Sequence, residues 1–158
     1  MVRGPRQRAR SPILQRVHTV TAPLTSTDRM VLISERYSIC GMTWGTVELE
    51  PEVRDWLEEL STTQFAMAAF YIDLLAEQGP LLSEPYTRQL DGKLRELRFH
   101  LGGQAVRVTY WIASGRRIVL LTVFSKTRMR EIREIDRARR ALQRCIAAGH
   151  TVDDDGEE

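Results

Sequence analysis

From residue 44 onward the chain carries readable patterns of apolar and polar positions. Trp44 to Leu49 alternates enough for a short strand. Pro51 suits the first turn of a helix, with Glu50, Glu52 and Asp55 where the positive end of the helix dipole favours acids. Val53, Trp56, Leu57 and Leu60 make its apolar face. Thr62 is placed to cap a second helix with the face Phe65, Ala68, Ala69, Ile72, Leu75 and Ala76, and Gly79-Pro80 stops it. The short interval between the two predicts a helical hairpin.

Residues 81–91, with Pro85 and Tyr86, read as a loop. Three strands are expected next, over Lys93–Phe99, Gln104–Ala113 and Arg117–Phe124. The links Leu101-Gly102-Gly103 and Ser114-Gly115-Arg116 have hairpin chemistry, which makes these strands an antiparallel meander. Ile118 to Leu121 is apolar on both faces and reads as central or covered. Residues 129–148 predict a long helix ended by Gly149, its buried stripe being Met129, Ile132, Ile135, Leu142, Cys145 and Ile146. The expected class is α+β in the order β-α-α-β-β-β-α, the meander packed by the helical hairpin and the long C-terminal helix. That order spans a domain over 42–149, with an acidic tail over 150–158 that reads as disordered.

Residues 1–41 show no such pattern. Prolines, serines and threonines interrupt them and only Met30 to Ile33 is briefly apolar, so they read as a disordered extension. An over-long start, with translation beginning at Met42, and an arginine-rich arm gripping nucleic acid are the other readings.

The 158 residues carry a formal charge of only +2, but its distribution is uneven. Seven arginines face two acids in residues 1–40, nine acids face Arg54 alone in 42–84, and fifteen Lys/Arg face five acids in 85–144. A basic second half beside an acidic first half suits contact with a polyanion. The longest strongly apolar run, Ile118 to Val123, is six residues, against the ~20 of a membrane-spanning helix. Two cysteines, Cys40 and Cys145, build neither a disulfide framework nor a zinc site. A cytoplasmic protein without metal or cofactor is expected.

Familiar catalytic signatures are absent: there is no P-loop, nucleophile elbow, zincin motif or dinucleotide-binding glycine pattern. His100 is the one histidine expected inside the fold, and Cys145 on an apolar stripe reads as core. The distinctive feature is cations on predicted strands: Arg95 and Arg98, then Arg107, with Lys126 and Arg128 after the last strand. Alternation puts Arg107, Thr109 and Trp111 on one face, opposite Val106, Val108, Tyr110 and Ile112. Arg95 and Arg98, three apart, point to opposite faces. A mid-strand arginine is costly unless it is paired, with Glu96 the nearest partner, or faces an open groove. Several converging from adjacent strands favour an anion site. Along the last helix Arg130, Arg133, Arg137, Arg140 and Arg144 form a stripe, either a solvated face partly paired to Glu131, Glu134 and Asp136 or a rail for RNA.

The segment Leu90-Asp91-Gly92-Lys93-Leu94-Arg95-Glu96-Leu97-Arg98 resembles the core motif of RelE/HigB-family toxins, in the phage-derived HigB-like branch of bacterial toxin–antitoxin systems. The similarity continues through Arg107-Val108-Thr109-Tyr110 and Arg117 to Thr127, covering about 44–148. It implies a RelE-like, microbial-RNase-type fold and, as activity, endoribonuclease cleavage of mRNA on the ribosome. It also implies a cognate antitoxin, of the helix-turn-helix, HigA-like kind. Carried onto this chain, the catalytic positions are Arg98, Arg107 and Lys126, with Arg95 and Arg128 as weaker transfers; beside the resemblance, Lys93, His100, Tyr110 and the helix arginines Arg130, Arg133 and Arg137 are further candidate RNA contacts. Many HigB-like members read Lys-Thr-Pro after the last strand; here Lys126-Thr127 is followed by Arg128-Met129. A catalytically silent binding module of the same fold and a ParE-like gyrase inhibitor are the alternatives.

Overall fold

The computed structural model describes residues 43–127 and 131–150. Its elements are β1 (Thr46–Leu49), α1 (Pro51–Glu59), α2 (Thr62–Gln78), a 3-10 turn (Gly79–Leu81), β2 (Thr87–Asp91), β3 (Leu94–Leu101), β4 (Gln104–Ala113), β5 (Arg117–Ser125) and α3 (Glu131–Cys145). The five strands form one sheet in the order β1-β5-β4-β3-β2, with β1 parallel to β5 and every other pairing antiparallel. The class is therefore α+β, with three helices on a mixed sheet. The expected extension over 1–41, Arg128 to Arg130 and the tail beyond 150 lie outside the described residues.

The hairpin α1–α2 covers one face of the sheet. All six residues expected on the α2 face are buried, together with Val53 and Leu57 of α1, against Leu97, Phe99, Leu101, Val106, Val108, Tyr110, Ile118 and Leu120. The helix is capped by Ser61, one position before the expected Thr62: its hydroxyl accepts from the Gln64 amide while the Gln64 side chain reaches back, a capping box that satisfies two end groups. Gly79 ends the helix at φ +53°, and a Cβ there would sit 2.2 Å from the Trp44 ring. Trp44 fills that space, and its amide bonds the Ala76 carbonyl, so the chain is pinned to the end of α2 as it enters β1.

The opposite face is packed by the C-terminal helix. α3 lies across Leu94, Trp111, Ala113, Val119 and Leu121 and contacts them through Ala138, Ala141 and Cys145. This corrects the expected stripe in part: Cys145 is buried and Leu142 packs against the cluster as expected, but Ile132 is 78% exposed and Ile146 is exposed, and the small residues Ala138 and Ala141 take the contact. The rest of that face carries Glu96, Arg107, Thr109 and Thr122, all buried, with Arg98 a quarter exposed.

Three further differences have local causes. Residues 87–91, expected within a loop, form β2, a short polar edge strand whose Thr-Arg-Gln-Leu-Asp sequence carries no hydrophobic alternation. The meander thus has four strands and the order is β-α-α-β-β-β-β-α. The Leu101↔Gln104 pair closes a two-residue turn with Gly102 and Gly103 at φ +56° and +83°, the left-handed geometry that fixes register in a tight hairpin. In β5 the pairing shifts between Thr109↔Thr122 and Tyr110↔Leu120, leaving Leu121 as an extra residue. Leu121 and Thr122 therefore both turn to the α3 side, and every later residue of β5 changes face.

Candidate functional site

The half of the α3-side face away from the α3 contact is built in rows across the strands. Register places Arg98 of β3 directly opposite Arg107 of β4, which is opposite Phe124 of β5. One row inward lie Arg88, Glu96, Thr109 and Thr122. One row outward lie His100 and Ala105, and the Lys126 amide bonds the Ala105 carbonyl at 2.8 Å, extending that row. Without the Leu121 bulge, strict alternation puts Lys126 on the face of Ile118 and Leu120; the bulge brings it to the side of Arg98 and Arg107. At ~3.3 Å per residue and ~4.8 Å between strands, the Arg107 and Lys126 backbones stand roughly 8 Å apart.

Glu96 holds this array together. It is 1% exposed, and one of its oxygens, Oε1, lies 3.5 Å from Nε of Arg98 and 3.8 Å from Nε of Arg107. Arg107 is itself buried, its Nη1 donating to the Val106 carbonyl at 2.9 Å, whereas the Arg98 side chain is a quarter exposed. Burial pushes the Glu96 carboxyl up from the ordinary carboxylate range, against the pull of Arg107 and Arg98. Burial likewise lowers the Arg107 guanidinium, and Glu96 raises it. Two guanidinium groups sharing one carboxylate leave a surplus of positive charge with terminal nitrogens free of that carboxylate. Beneath them the Thr109 and Thr122 hydroxyls satisfy each other at 2.7 Å, closing the floor.

A cavity of about 280 Å³ opens where β3 runs past the start of β2. Arg98, His100 and Arg107 line one side, and Tyr71, Pro85, Tyr86 and Phe99 the other. The Arg98 amide donates to the Tyr86 carbonyl at 2.7 Å, which fixes the aromatic rim to the cation row.

Of the residues expected at the site, Arg98, Arg107 and His100 line one cavity, and register places Lys126 on their side of the sheet but outside that lining. Arg95 and Tyr110 do not: they are paired opposite each other on the α1–α2 side, and Tyr110 is fully buried, burial pushing its phenol up against the pull of Arg95 and Thr87. Lys93 sits in the β2–β3 turn, ~16 Å along β3 from Arg98. Arg137 is committed elsewhere, with Nη1 on Glu52 of α1, Nη2 on Glu134 at 2.6 Å and Nη2 on the Val123 carbonyl at 3.1 Å. It ties α3 to α1 and β5. Arg133 is exposed on α3 and makes no ion pair among the described residues. Arg128 and Arg130 lie outside them.

The sequence reading missed Arg88, which reaches the Glu96 row through β2, and the aromatic rim of Tyr71, Tyr86 and Phe99. Among the described residues no group of His, Cys, Asp and Glu is arranged to hold a metal ion, and no helix is long and apolar enough to cross a membrane.

A cationic row on a mixed sheet, with three helices packed around it, makes an α+β domain with a charged cavity at one sheet edge. The family model described as "Phage derived protein Gp49-like (DUF891)" matches residues 55–143, more than half of the chain. The chain belongs to this phage-derived Gp49-like family, which is part of the RelE/HigB-like toxin group. Membership places it among toxin-like proteins and points to an antitoxin partner. No characterised protein compared with the chain matches it.

Proposed function

We propose that this chain is the toxin of a type II toxin–antitoxin pair and acts as a ribosome-dependent endoribonuclease on translated mRNA. The observation that carries the reading is the Arg98–Arg107 pair, opposite each other on the sheet, lining one cavity and sharing the buried Glu96. Cleaving RNA through its own 2′-hydroxyl requires that the 2′-oxygen attack phosphorus while the bond to the 5′-oxygen breaks. This gives a 2′,3′-cyclic phosphate and a 5′-hydroxyl. Negative charge grows on the phosphoryl oxygens as this happens, and positioned guanidinium groups stabilise it through paired hydrogen bonds. Glu96 lies nearest both arginines at Nε, and the Arg98 side chain keeps a quarter of its surface exposed.

Proton transfer is the weaker half of the site. Arginine stays protonated and serves poorly as a base. Lys126 and His100, in one row beside the arginine pair, are the side chains of the array suited to move protons, and Tyr110, buried on the other face, is not. Alignment of the message by the ribosome would supply what the isolated chain lacks, since fixing the 2′-oxygen in line with phosphorus removes much of the entropic part of the barrier.

Induced expression tests the reading. The expected result is arrested translation with mRNA cut within codons, relieved by co-expression of a helix-turn-helix antitoxin encoded beside the gene. A DNA-damage response without mRNA cutting would mean a gyrase inhibitor instead, and unaffected growth would mean a silent binding module.

A further inference from the structure

The cavity beside Arg98 has two chemically different walls. On one side are two guanidinium groups and an imidazole; on the other, three aromatic rings fixed to one another. Tyr71 stacks on Phe99 at 4.8 Å with the rings 12° apart, and Tyr86 tilts toward Tyr71 at 6.2 Å. Phe99 is buried and forms the floor, while Tyr86 is 41% exposed and forms the rim. Anion binding alone calls for no aromatic wall, and burying Phe99 calls for no exposed tyrosine above it.

We infer that this cavity is a single-nucleotide subsite: a nucleobase stacks on Tyr86 while its phosphate lies on Arg98 and Arg107. The volume, about 280 Å³, is slightly below the ~300 Å³ at which drug-sized pockets begin and suits one nucleotide rather than a duplex segment. The 6.2 Å between the Tyr71 and Tyr86 centres is too little for a ring to slide between them. The base therefore lies on the open face of Tyr86, with His100 and the plane of the Arg98 guanidinium across from it, the aromatic-and-arginine setting in which unpaired RNA bases are held. Stacking tolerates every base but favours the larger ring system, so the subsite selects a purine next to the bound phosphate. Tyr86 is thus a specificity-determining residue, and Tyr71 and Phe99 are positioning residues that hold the aromatic wall behind it.

The nature of the occupant rests on the ribonuclease reading above, whereas binding itself is measurable without cleavage. The full chain is titrated with adenosine 5′-monophosphate and with ribose 5-phosphate, which carries the same phosphate and sugar without the base, and binding is followed by NMR. The expected result is tighter binding of the adenosine nucleotide by roughly 5- to 150-fold, the alanine-substitution range for one stacked base. Tyr86→Ala should abolish that preference and Tyr86→Phe should keep it, since the ring and not the hydroxyl carries the stack. Equal affinity for the two ligands, or an unchanged preference in Tyr86→Ala, overturns the inference. If the preference is seen but no mRNA is cut in cells, the subsite stands and the ribonuclease reading falls. If mRNA is cut but the base adds nothing to binding, the reverse holds.

Discussion

Arg98 and Arg107 touch the same carboxylate, yet truncating them should have very different consequences for the fold. Arg107 is 6% exposed and Glu96 1%, so Arg107→Ala breaks a buried contact and leaves a carboxylate in the sheet with half its compensation. Breaking a fully buried pair costs about 3–5 kcal/mol. Here Arg98 still lies 3.5 Å from Glu96, and the carboxyl, already pushed up by burial, can take a proton instead of staying charged; both limit the loss to roughly 2–3 kcal/mol. Arg98→Ala removes a side chain that is a quarter exposed and leaves Arg107 beside Glu96, a loss of about 1 kcal/mol or less. With ~4–8 °C per kcal/mol for a domain near 100 residues, Arg107→Ala should melt about 10–20 °C lower and Arg98→Ala less than about 8 °C lower. Urea and thermal unfolding of the full chain, followed by circular dichroism near neutral pH, measure both. Equal losses in the two variants, or no loss in Arg107→Ala, would refute the assignment of Arg107 as buried partner and Arg98 as outward-facing group. Arg98→Ala is consequently the cleaner probe of function, because its effect on RNA is separable from its effect on folding.

Burial raises the Glu96 carboxyl, so its contribution to stability is fully present below the ordinary carboxylate value near 4.5 and is lost as pH rises through the raised folded value. Glu96→Gln should flatten that part of the profile, and urea midpoints from about pH 4 to about pH 8 that keep the wild-type slope would contradict it. Arg137 joins α3 to Glu52, Glu134 and the Val123 carbonyl across partly exposed groups, so Arg137→Ala should cost about 1 kcal/mol. A double-mutant cycle with Glu52→Gln should return a coupling of roughly 0.5 kcal/mol, and zero coupling would return Arg137 to the solvated stripe. Gly79→Ala drives a Cβ into the Trp44 ring at a left-handed position and should destabilise by roughly 2–3 kcal/mol, which equilibrium unfolding reads directly; a neutral result would mean Trp44 does not pin the chain there.

Much of the architecture was legible because burial follows period. The α2 face is strongly apolar at helical spacing, and each of its expected residues is buried. The Gly102-Gly103 turn even contains the key geometry of the site: a hairpin closed at Leu101↔Gln104 brings Arg98 opposite Arg107 by counting back three pairs. Other features had no such signal. β2 is a polar edge strand whose pairing, and not its pattern, makes it a strand, and Arg88 was lost with it. The Leu121 bulge, which sets Leu121 and Thr122 on the same side of β5, breaks the alternation the sequence pattern assumes, and only the bulge turns Lys126 toward the arginines. On α3 the isoleucines suggested the buried stripe, but a helix laid flat on an indole needs small residues at the contact, so Ala138 and Ala141 take that place. The aromatic rim joins a helix, a loop and a strand that lie far apart in the chain, and no local spacing announces it.

The account depends on Arg98 and Lys126 acting at one phosphate in a message held by the ribosome. Purified ribosomes programmed with a defined mRNA, incubated with wild-type chain, Arg98→Ala or Lys126→Ala and analysed by mapping the new 5′ ends, test that claim most directly. The account predicts cuts within codons that require both the ribosome and the wild-type chain, with each variant cutting at least about 100-fold more slowly while remaining folded, in the range lost when one stabilising donor or proton-transfer group is removed. Undiminished cutting by both variants, or no cutting by the wild-type chain on translating ribosomes, would contradict it.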